Sequence, residues 1–124
     1  MKVFGASPVL RVAQLPPALK FYRDVLGFTV EFEYPDYAGV RLDHAGLHLS
    51  LAVSGKPAGT GAVYVFCDEI DAYFGTIRAR GAQAEREPED QFYGMRDFSL
   101  CDPDGNRLTF GCALGKKSED CAKG

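Results

Sequence analysis

Residues 93–110 read Tyr-Gly-Met-Arg-Asp-Phe-Ser-Leu-Cys-Asp-Pro-Asp-Gly-Asn-Arg-Leu-Thr-Phe, and they predict a β-hairpin. The runs on either side of the centre alternate apolar and polar residues, which is the period of a half-buried strand. The centre, residues 102–106, contains Asp, Pro, Gly and Asn, which pre-set turn angles or tolerate a positive φ. We therefore expect strands at 95–100 and 107–111, with residues 102–106 serving only to turn the chain.

The chain upstream of this hairpin begins with a strand and a helix. Residues 9–12 are apolar enough for a short strand, and apolar residues then recur at helical spacing from Leu15 to Leu26. Pro16 and Pro17 suit the first helical turn, and Gly27 suits the position that ends a helix. Three strands are predicted to follow, at residues 28–34, 37–43 and 47–53.

The same order then repeats after a turn-rich linker at residues 54–60. A strand at 62–67 precedes a helix with its apolar stripe at Ile70, Tyr73, Phe74 and Ile77, and Gly81 ends that helix 54 residues after Gly27. A strand at 84–87, a polar loop at 87–92 and the hairpin complete the second copy. The pattern predicts one domain at residues 1–111, with modules at 3–53 and 61–111 and a tail at 112–124.

Composition limits the class of protein. The 124 residues are 46% hydrophobic and 25% charged, which suits one globular domain, and the net charge of −3 argues against nucleic acid binding. The N-terminus has no apolar run long enough for a signal peptide or a membrane span, so we expect a cytoplasmic protein that binds no membrane. The four cysteines lack the paired spacing of zinc sites, and we expect reduced thiols, with Cys67 and Cys101 in strands or core and Cys121 in the tail.

Several motifs resemble the vicinal oxygen chelate superfamily, which includes glyoxalases, extradiol dioxygenases and bleomycin resistance proteins. Residues 21–28 (FYRDVLGF) and 102–106 (DPDGN) carry the resemblance to the superfamily, while residues 8–10 (PVL) and 36–40 (DYAGV) are similar to the bleomycin resistance branch. The resemblance covers about residues 3–111. It implies an α+β fold in which two βαβββ modules form an open, cup-shaped, eight-stranded mixed sheet with the helices outside.

The resemblance also places four metal-ligand positions. They fall here on Ser7, Ser50, Gly61 or Ala62, and Thr109, none of which supplies the imidazole or carboxylate that a divalent ion requires. We therefore expect no metal, no cofactor and no catalytic residue. An alternative stays open, in which His48 belongs to an unusual ligand set of a metal-dependent lyase or dioxygenase of the same superfamily.

The resemblance to the bleomycin resistance branch also implies that aromatic side chains, with acids among them, line the cup. Flat rings stack on planar ligands, and nearby carboxylates attract a cationic tail. The residues that we predict to contact a ligand are Glu31, Phe32, Asp36, Tyr37, Ser50, Tyr64, Phe66, Phe92 and Tyr93. The competing interpretation is that about half of these rings are ordinary core, because strands must bury one face. Arg11, Arg41 and Arg96 could reach the cup, but Arg96 could equally pair with Asp97 or Glu89 at the surface, which is the commoner arrangement.

Pro8 bears on the oligomeric state. Proline cannot donate a hydrogen bond within a strand, and in the bleomycin resistance branch a proline here begins an arm that crosses to the partner subunit. We expect a homodimer with arm exchange near Pro8, although a monomer with an edge-strand proline is the alternative. The predicted function is metal-independent binding and sequestration of a planar cationic molecule, such as a bleomycin-type antibiotic. A binder of an endogenous aromatic metabolite is a third possibility.

Overall fold

The chain folds as two βαβββ modules, and the structure, a computed structural model, describes residues 1–115. The elements of the first module are β1 (Val9–Val12), α1 (Leu15–Lys20), a π-helical turn (Phe21–Val25), β2 (Thr29–Tyr34), β3 (Tyr37–Leu42) and β4 (Ala45–Leu51). The elements of the second module are β5 (Ala62–Phe66), α2 (Ile70–Ala79), β6 (Glu89–Asp90), β7 (Met95–Cys101) and β8 (Arg107–Ala113). The predicted α+β fold is confirmed.

The two modules build four-stranded sheets of the same topology. The strand order is β1-β4-β3-β2 in the first sheet and β5-β8-β7-β6 in the second. The first strand of each module runs parallel to the last one, with Val9 opposite His48 and Ala62 opposite Arg107. The remaining neighbours are antiparallel. The repeat seen in the sequence is therefore a repeat of strand pairing as well.

The first helix changes its winding before it ends. Pro16 and Pro17 occupy the first turn of α1, as expected for residues whose missing N–H is not needed there. The helix then widens into the π-helical turn, and the Leu26 N–H donates to the Phe21 carbonyl at 3.2 Å. Gly27 follows with a φ of 86°, a left-handed conformation that glycine adopts at low cost. The sequence predicted one continuous helix and gave no signal for the wider turn.

Gly81 ends the second helix in the manner that the sequence predicts. It has a φ of 102°, its N–H donates to the Arg78 carbonyl at 3.0 Å, and the Ala82 N–H donates to the Ile77 carbonyl at 3.0 Å. This pair of hydrogen bonds is the Schellman motif, which satisfies carbonyls that the helix end would leave unpaired.

Each helix packs on one face of its own sheet. The Tyr22 ring meets the Phe28 ring edge to face at 5.7 Å in the first module, and the Phe74 ring meets the Phe98 ring at 5.1 Å in the second. The strand residues that point to the helices are buried: Ala38, Val40, Leu47, Leu49, Phe98, Leu100, Leu108 and Phe110. Because side chains alternate along a strand, the intervening residues point to the opposite face of each sheet.

The second module departs from prediction at its ends. The strand predicted at 84–87 is reduced to a single bridge between Ala84 and Leu100, and the pairing with β7 resumes at Glu89–Asp90. Pro88 lacks the N–H that continuous pairing would use. At the other end β8 extends to Ala113, so the first two residues of the predicted tail belong to a strand.

The cysteines also differ in part from expectation. Cys67 and Cys101 are free thiols, and burial, with a smaller contribution from the Asp68 charge, raises the pKa of Cys67 to about 11. Cys112 is buried in β8 and is disulfide-bonded, so the expectation of reduced thiols is wrong for this residue. The prediction for Cys121 lies outside the described residues.

The turn at residues 102–106 joins the two modules. The Asn106 amide accepts a hydrogen bond from the Gly61 N–H at 3.0 Å and donates one to the Arg11 carbonyl at 2.8 Å. The Ala13 N–H donates to the Asp104 carboxylate at 3.0 Å. The expectation that this turn only reverses the chain is therefore wrong, since it fastens β1 and the start of β5 to the hairpin.

Within the part of the chain that the structure describes, neither helix has the length and apolar character needed to cross a membrane.

Candidate functional site

The face of the first sheet that points away from α1 carries a cluster of aromatic rings. The Tyr37 hydroxyl lies 2.9 Å from His48 Nδ1, and the two rings meet edge to face at 5.3 Å. The Phe32 ring is nearly parallel to the Tyr37 ring, with an interplanar angle of 12° and centroids 6.3 Å apart. It also meets the His48 ring edge to face at 5.4 Å. We call these three residues the first-sheet cluster.

A glycine makes the position of Phe32 possible. Gly39 lies opposite Phe32 in the β2–β3 pairing, and a Cβ atom there would lie 2.2 Å from the Phe32 ring. The ring can therefore lie directly over the backbone of β3. This close approach brings Phe32 beside Tyr37 and His48.

The corresponding face of the second sheet carries two tyrosines on one carboxylate. The Tyr64 hydroxyl donates to Asp97 Oδ2 at 2.9 Å, and the Tyr93 hydroxyl donates to the same oxygen at 2.6 Å. Arg86 Nη2 donates to Asp97 Oδ1 at 2.6 Å, and Arg86 Nη1 donates to the Asp97 carbonyl. We call Tyr64, Tyr93, Asp97 and Arg86 the second-sheet cluster.

These contacts shift the protonation equilibria of the second-sheet cluster. Burial raises the pKa of Asp97, but hydrogen bonds from Tyr93, Arg86 and Tyr64 outweigh it, so the net pKa is lowered. Burial raises the pKa of Tyr64, and the bond to Asp97 adds to the rise. For Tyr93 the hydrogen bond to Asp97 is the main cause of a raised pKa. Near neutral pH the cluster is therefore one carboxylate held by two neutral phenols and a guanidinium.

A second glycine lies under Tyr64. A Cβ atom at Gly111 would lie 2.1 Å from the Tyr64 hydroxyl oxygen, so the ring crosses the backbone of β8 as Phe32 crosses that of β3. Phe66 continues this aromatic surface, with its ring 5.1 Å from that of Tyr64. The Phe92 and Tyr93 rings meet edge to face at 5.1 Å. Phe66, Phe92 and Tyr93 are 78%, 99% and 51% exposed, so these rings offer surface to a ligand or a partner chain.

The predicted acids have different surroundings. Glu31 is paired with Arg41, whose Nε lies 2.9 Å from its carboxylate, so its charge is already compensated. Asp36 is exposed at the β2–β3 turn. Arg96 binds Asp71 at 2.9 Å and Asp90 at 3.0 Å, so the predicted pairing with Asp97 or Glu89 is wrong. These bonds tie α2 to the β6–β7 edge.

The nine predicted ligand residues thus fall into two groups, one on each sheet. The first group consists of Glu31, Phe32, Asp36, Tyr37 and Ser50. The second group consists of Tyr64, Phe66, Phe92 and Tyr93. Among the described residues no ring contact joins the first group to the second.

Hydroxyl groups occupy two of the positions at which the resemblance places metal ligands, Ser50 and Thr109. Ser99 Oγ and Thr109 Oγ1 lie 2.7 Å apart and satisfy each other, and Ser50 lies opposite Tyr37. Nδ1 of His48 is engaged by Tyr37. Across residues 1–115, no three His, Cys, Asp or Glu side chains come close enough to hold an ion together.

Asp97 and Arg86 were not among the residues predicted from sequence. Alternation along the hairpin could have placed Asp97 on the same face as Ser99, away from the buried Phe98. Arg86 could not have been found in this way, because it lies on the irregular segment before β6. Glycines opposite aromatic residues, such as Gly39 opposite Phe32, were a further signal of close ring approach.

Two clefts are lined by residues of both modules. A cleft of about 730 Å³ lies between the β3–β4 turn, the end of β5 and α2, and Tyr73 and Phe110 are among the residues that line it. An adjoining cleft of about 310 Å³ lies between the start of β4 and β5, and Ala6 and Pro8 of the N-terminal segment line it.

Comparisons with known proteins agree with this architecture. Residues 6–110 match the family model described as the Glyoxalase/Bleomycin resistance protein/Dioxygenase superfamily. A bleomycin resistance protein of Geobacillus stearothermophilus is 26% identical, over 83% of this chain and 92% of its own.

Solved structures are similar as well. The bleomycin-binding protein of Streptomyces verticillus, solved with copper(II)-bleomycin, is 28% identical with a TM-score of 0.78, over 94% of this chain and 99% of its own. A bleomycin resistance determinant of transposon Tn5 has a TM-score of 0.79 at 21% identity, over 90% of this chain and 98% of its own.

Proposed function

The chain belongs to the Glyoxalase/Bleomycin resistance protein/Dioxygenase superfamily, and we propose that it binds and sequesters a planar cationic molecule of the bleomycin type. The observation that carries the proposal is the pair of aromatic clusters, one on the helix-free face of each sheet. Sequestration needs no bond to be made or broken. Stoichiometric capture is sufficient, and the proposal assigns no catalytic residue.

The aromatic surfaces suit a planar ligand. Phe32 and Tyr37 present nearly parallel rings, and Tyr93 is held by its hydroxyl while about half of its surface remains open. Rings held in this way contribute dispersion and stacking without first having to be ordered by the ligand.

Charge suits a cation. The net charge of the chain is −3, so the protein as a whole attracts positive molecules. Asp36 is exposed beside the first-sheet cluster, whereas Glu31 is already compensated by Arg41. We therefore propose that Asp36, rather than Glu31, attracts the cationic tail of the ligand.

Binding without a protein-bound metal is part of the proposal. The positions at which resemblance to metalloenzymes places ligands are occupied here by hydroxyl-bearing residues and one small residue. One of these hydroxyls, that of Thr109, is hydrogen-bonded to the Ser99 hydroxyl. The alternative is a metal-dependent lyase or dioxygenase built around His48. This alternative is supported by His48, because Tyr37 binds only its Nδ1 and the described contacts leave its second imidazole nitrogen available to a metal ion.

We further propose a homodimer that exchanges its N-terminal arm near Pro8. The His48 N–H donates to the Pro8 carbonyl, so the arm leaves the sheet at the residue that cannot donate in return. Val3 and Phe4 lie beyond it and are 78% and 94% exposed, which is unfavourable for apolar side chains in an isolated chain. The cleft beside Ala6 and Pro8 is a place for the arm of a second copy.

Titration calorimetry with bleomycin tests the proposed function. We expect one bleomycin per chain, with binding unchanged after the protein is treated with a chelator and dialysed. Tyr37→Ala and Tyr93→Ala should each weaken binding by about tenfold or more, because each removes a stacking surface. Phe21→Ala is the matched control, since this partly buried ring belongs to the π-helical turn and packs against the core.

Two results would contradict this assignment. Absence of heat at micromolar protein and ligand would exclude a bleomycin-sequestering role. One divalent ion per purified chain, lost on His48→Ala, would favour the metal-dependent enzyme.

A further inference from the structure

We propose that Asp97 is a positioning residue, which fixes the orientation of the Tyr64 and Tyr93 rings for the ligand through their hydroxyl groups. The inference rests on the proposed function, because it takes these two rings as ligand-contacting surfaces.

Asp97 lies between the hydroxyl groups of the two tyrosines. Its side chain is 0% exposed, and one oxygen, Oδ2, accepts both hydroxyls, from Tyr64 at 2.9 Å and from Tyr93 at 2.6 Å. The two tyrosines come from different segments, β5 and the loop before β7. A carboxylate can accept several hydrogen bonds at once, so one residue can hold two rings that the backbone does not hold together.

Charge compensation alone does not account for the arrangement. Arg86 already binds the other oxygen, Oδ1, at 2.6 Å and also donates to the Asp97 carbonyl. The Tyr64 and Tyr93 hydroxyls therefore bind a carboxylate whose charge Arg86 already compensates. Arg86 keeps the carboxylate ionised and in place, and the ionised carboxylate is the stronger acceptor for the two hydroxyls.

The two rings need this anchor to different degrees. Tyr64 is also confined by Gly111 below it and by Phe66 beside it. Tyr93 is 51% exposed and touches Phe92, which is itself 99% exposed, so the bond to Asp97 is its main restraint. Without that bond, ligand binding would have to order the Tyr93 ring, and affinity would fall.

The experiment uses Asp97→Asn, Tyr64→Phe and Tyr93→Phe, with the full chain and bleomycin as the probe. Asparagine keeps the shape of the side chain but loses its charge and replaces one acceptor oxygen with a donor. The phenylalanine variants keep each ring and remove only its hydroxyl. Ser99→Ala is the matched control, because Ser99 is 2% exposed on the same face of β7 and its hydroxyl bonds Thr109.

Two measurements separate ring orientation from ligand affinity. The chain has no tryptophan, so its near-ultraviolet circular dichroism between about 275 and 285 nm reports mainly on its six tyrosines. Calorimetry gives the dissociation constant for bleomycin.

We expect Asp97→Asn to lose part of the tyrosine dichroism with the far-ultraviolet spectrum unchanged, and to weaken bleomycin binding about tenfold. Tyr93→Phe should weaken binding less than Asp97→Asn, and it should have no further effect in the Asp97→Asn background, since both changes remove the same restraint. Ser99→Ala should leave both measurements at the wild-type values.

Contrary outcomes are distinguishable from failure of the proposed function. If the wild type binds bleomycin but Asp97→Asn binds equally well, or if the effects of Asp97→Asn and Tyr93→Phe simply add, the positioning role is wrong. If the wild type binds no bleomycin, the proposed function and the ligand-positioning role both fail. The dichroism then decides only whether Asp97 orients the rings. If Asp97→Asn does not fold, Tyr64→Phe and Tyr93→Phe test the inference instead. Wild-type affinity and wild-type dichroism in both of these variants would overturn it.

Discussion

Asn106 is a residue on which the contact between the two modules depends. It is fully buried, it accepts from the Gly61 N–H, and its amide nitrogen donates to both the Arg11 carbonyl and the Asp102 carboxylate. Asp102 in turn accepts the Tyr22 hydroxyl at 2.8 Å, so the network reaches from the hairpin into the core of the first module. A buried donor or acceptor that loses its partner costs free energy, because water cannot replace it.

Asn106→Ala should therefore lower the free energy of unfolding by about 2–3 kcal/mol. The adjacent Arg107→Ala is the control, since its ion pair with Glu85 is roughly half exposed and should cost at most about 0.5 kcal/mol. Urea unfolding followed by far-ultraviolet circular dichroism measures both variants. Equal losses in the two would show that Asn106 does not hold the modules together.

Asp97 should make stability depend on pH in one direction. Its pKa in the folded protein is lowered, so it contributes stability above the unfolded value of about 3.9, and this contribution is lost as the pH falls through the folded pKa. The stability difference between wild type and Asp97→Asn, about 2 kcal/mol at pH 7, should shrink progressively below about pH 4. Urea unfolding from pH 7 to pH 3 tests this. The difference in unfolding free energy between wild type and Ser99→Ala should stay constant over this pH range. A difference between wild type and Asp97→Asn that also stayed constant would contradict the prediction.

At the level of elements, the strong local patterns were predicted correctly. The helix ends at Gly27 and Gly81 and the hairpin around residues 102–106 follow from residues that favour turns or a positive φ. The segment at 84–90 was not predictable in the same way. Its path depends on Arg86 reaching Asp97 on a neighbouring strand, and local sequence carries no record of such a contact.

The candidate site was predictable only in outline. Strand alternation is sufficient to place Tyr37 and Tyr64 on the faces away from the helices. It does not reveal that Glu31 pairs with Arg41 across a β-bulge between Val30 and Phe32, because a bulge changes which residues are opposite each other. Nor does it reveal that Tyr93 and Tyr64 share Asp97, since those segments meet only in the folded sheet.

Gly39 and Gly75 offer a matched test of this element-level packing. Gly75 is an exposed residue of α2 with open space around its Cα, so Gly75→Ala should raise the free energy of unfolding by about 0.5–1 kcal/mol and leave bleomycin affinity unchanged. Gly39→Ala places a methyl group where the Phe32 ring lies and should displace that ring from Tyr37. We expect bleomycin affinity, measured by calorimetry, to fall about threefold to tenfold. Equal affinity in Gly39→Ala and Gly75→Ala would mean that Phe32 does not contact the ligand.

For the whole molecule, no described ring contact joins the first-sheet cluster to the second-sheet cluster. Phe66 and Phe92, and the apolar arm residue Phe4, are 78%, 99% and 94% exposed. In a dimer with twofold symmetry each such contact is made twice, which could bring clusters of different subunits together while covering both arms.

Phe4→Ser therefore tests the assembly. If the arm of one subunit packs on the other, loss of this ring occurs twice per dimer and should raise the dimer dissociation constant by at least about tenfold, as measured by sedimentation velocity over a dilution series. Lys2→Ser changes the same exposed arm without removing an apolar side chain, and it should leave the constant nearly unchanged. Because a dimer would complete the ligand site, bleomycin affinity should fall along with dimerisation in Phe4→Ser. A monomeric wild type that binds one bleomycin per chain would refute arm exchange and place the whole site within a single subunit.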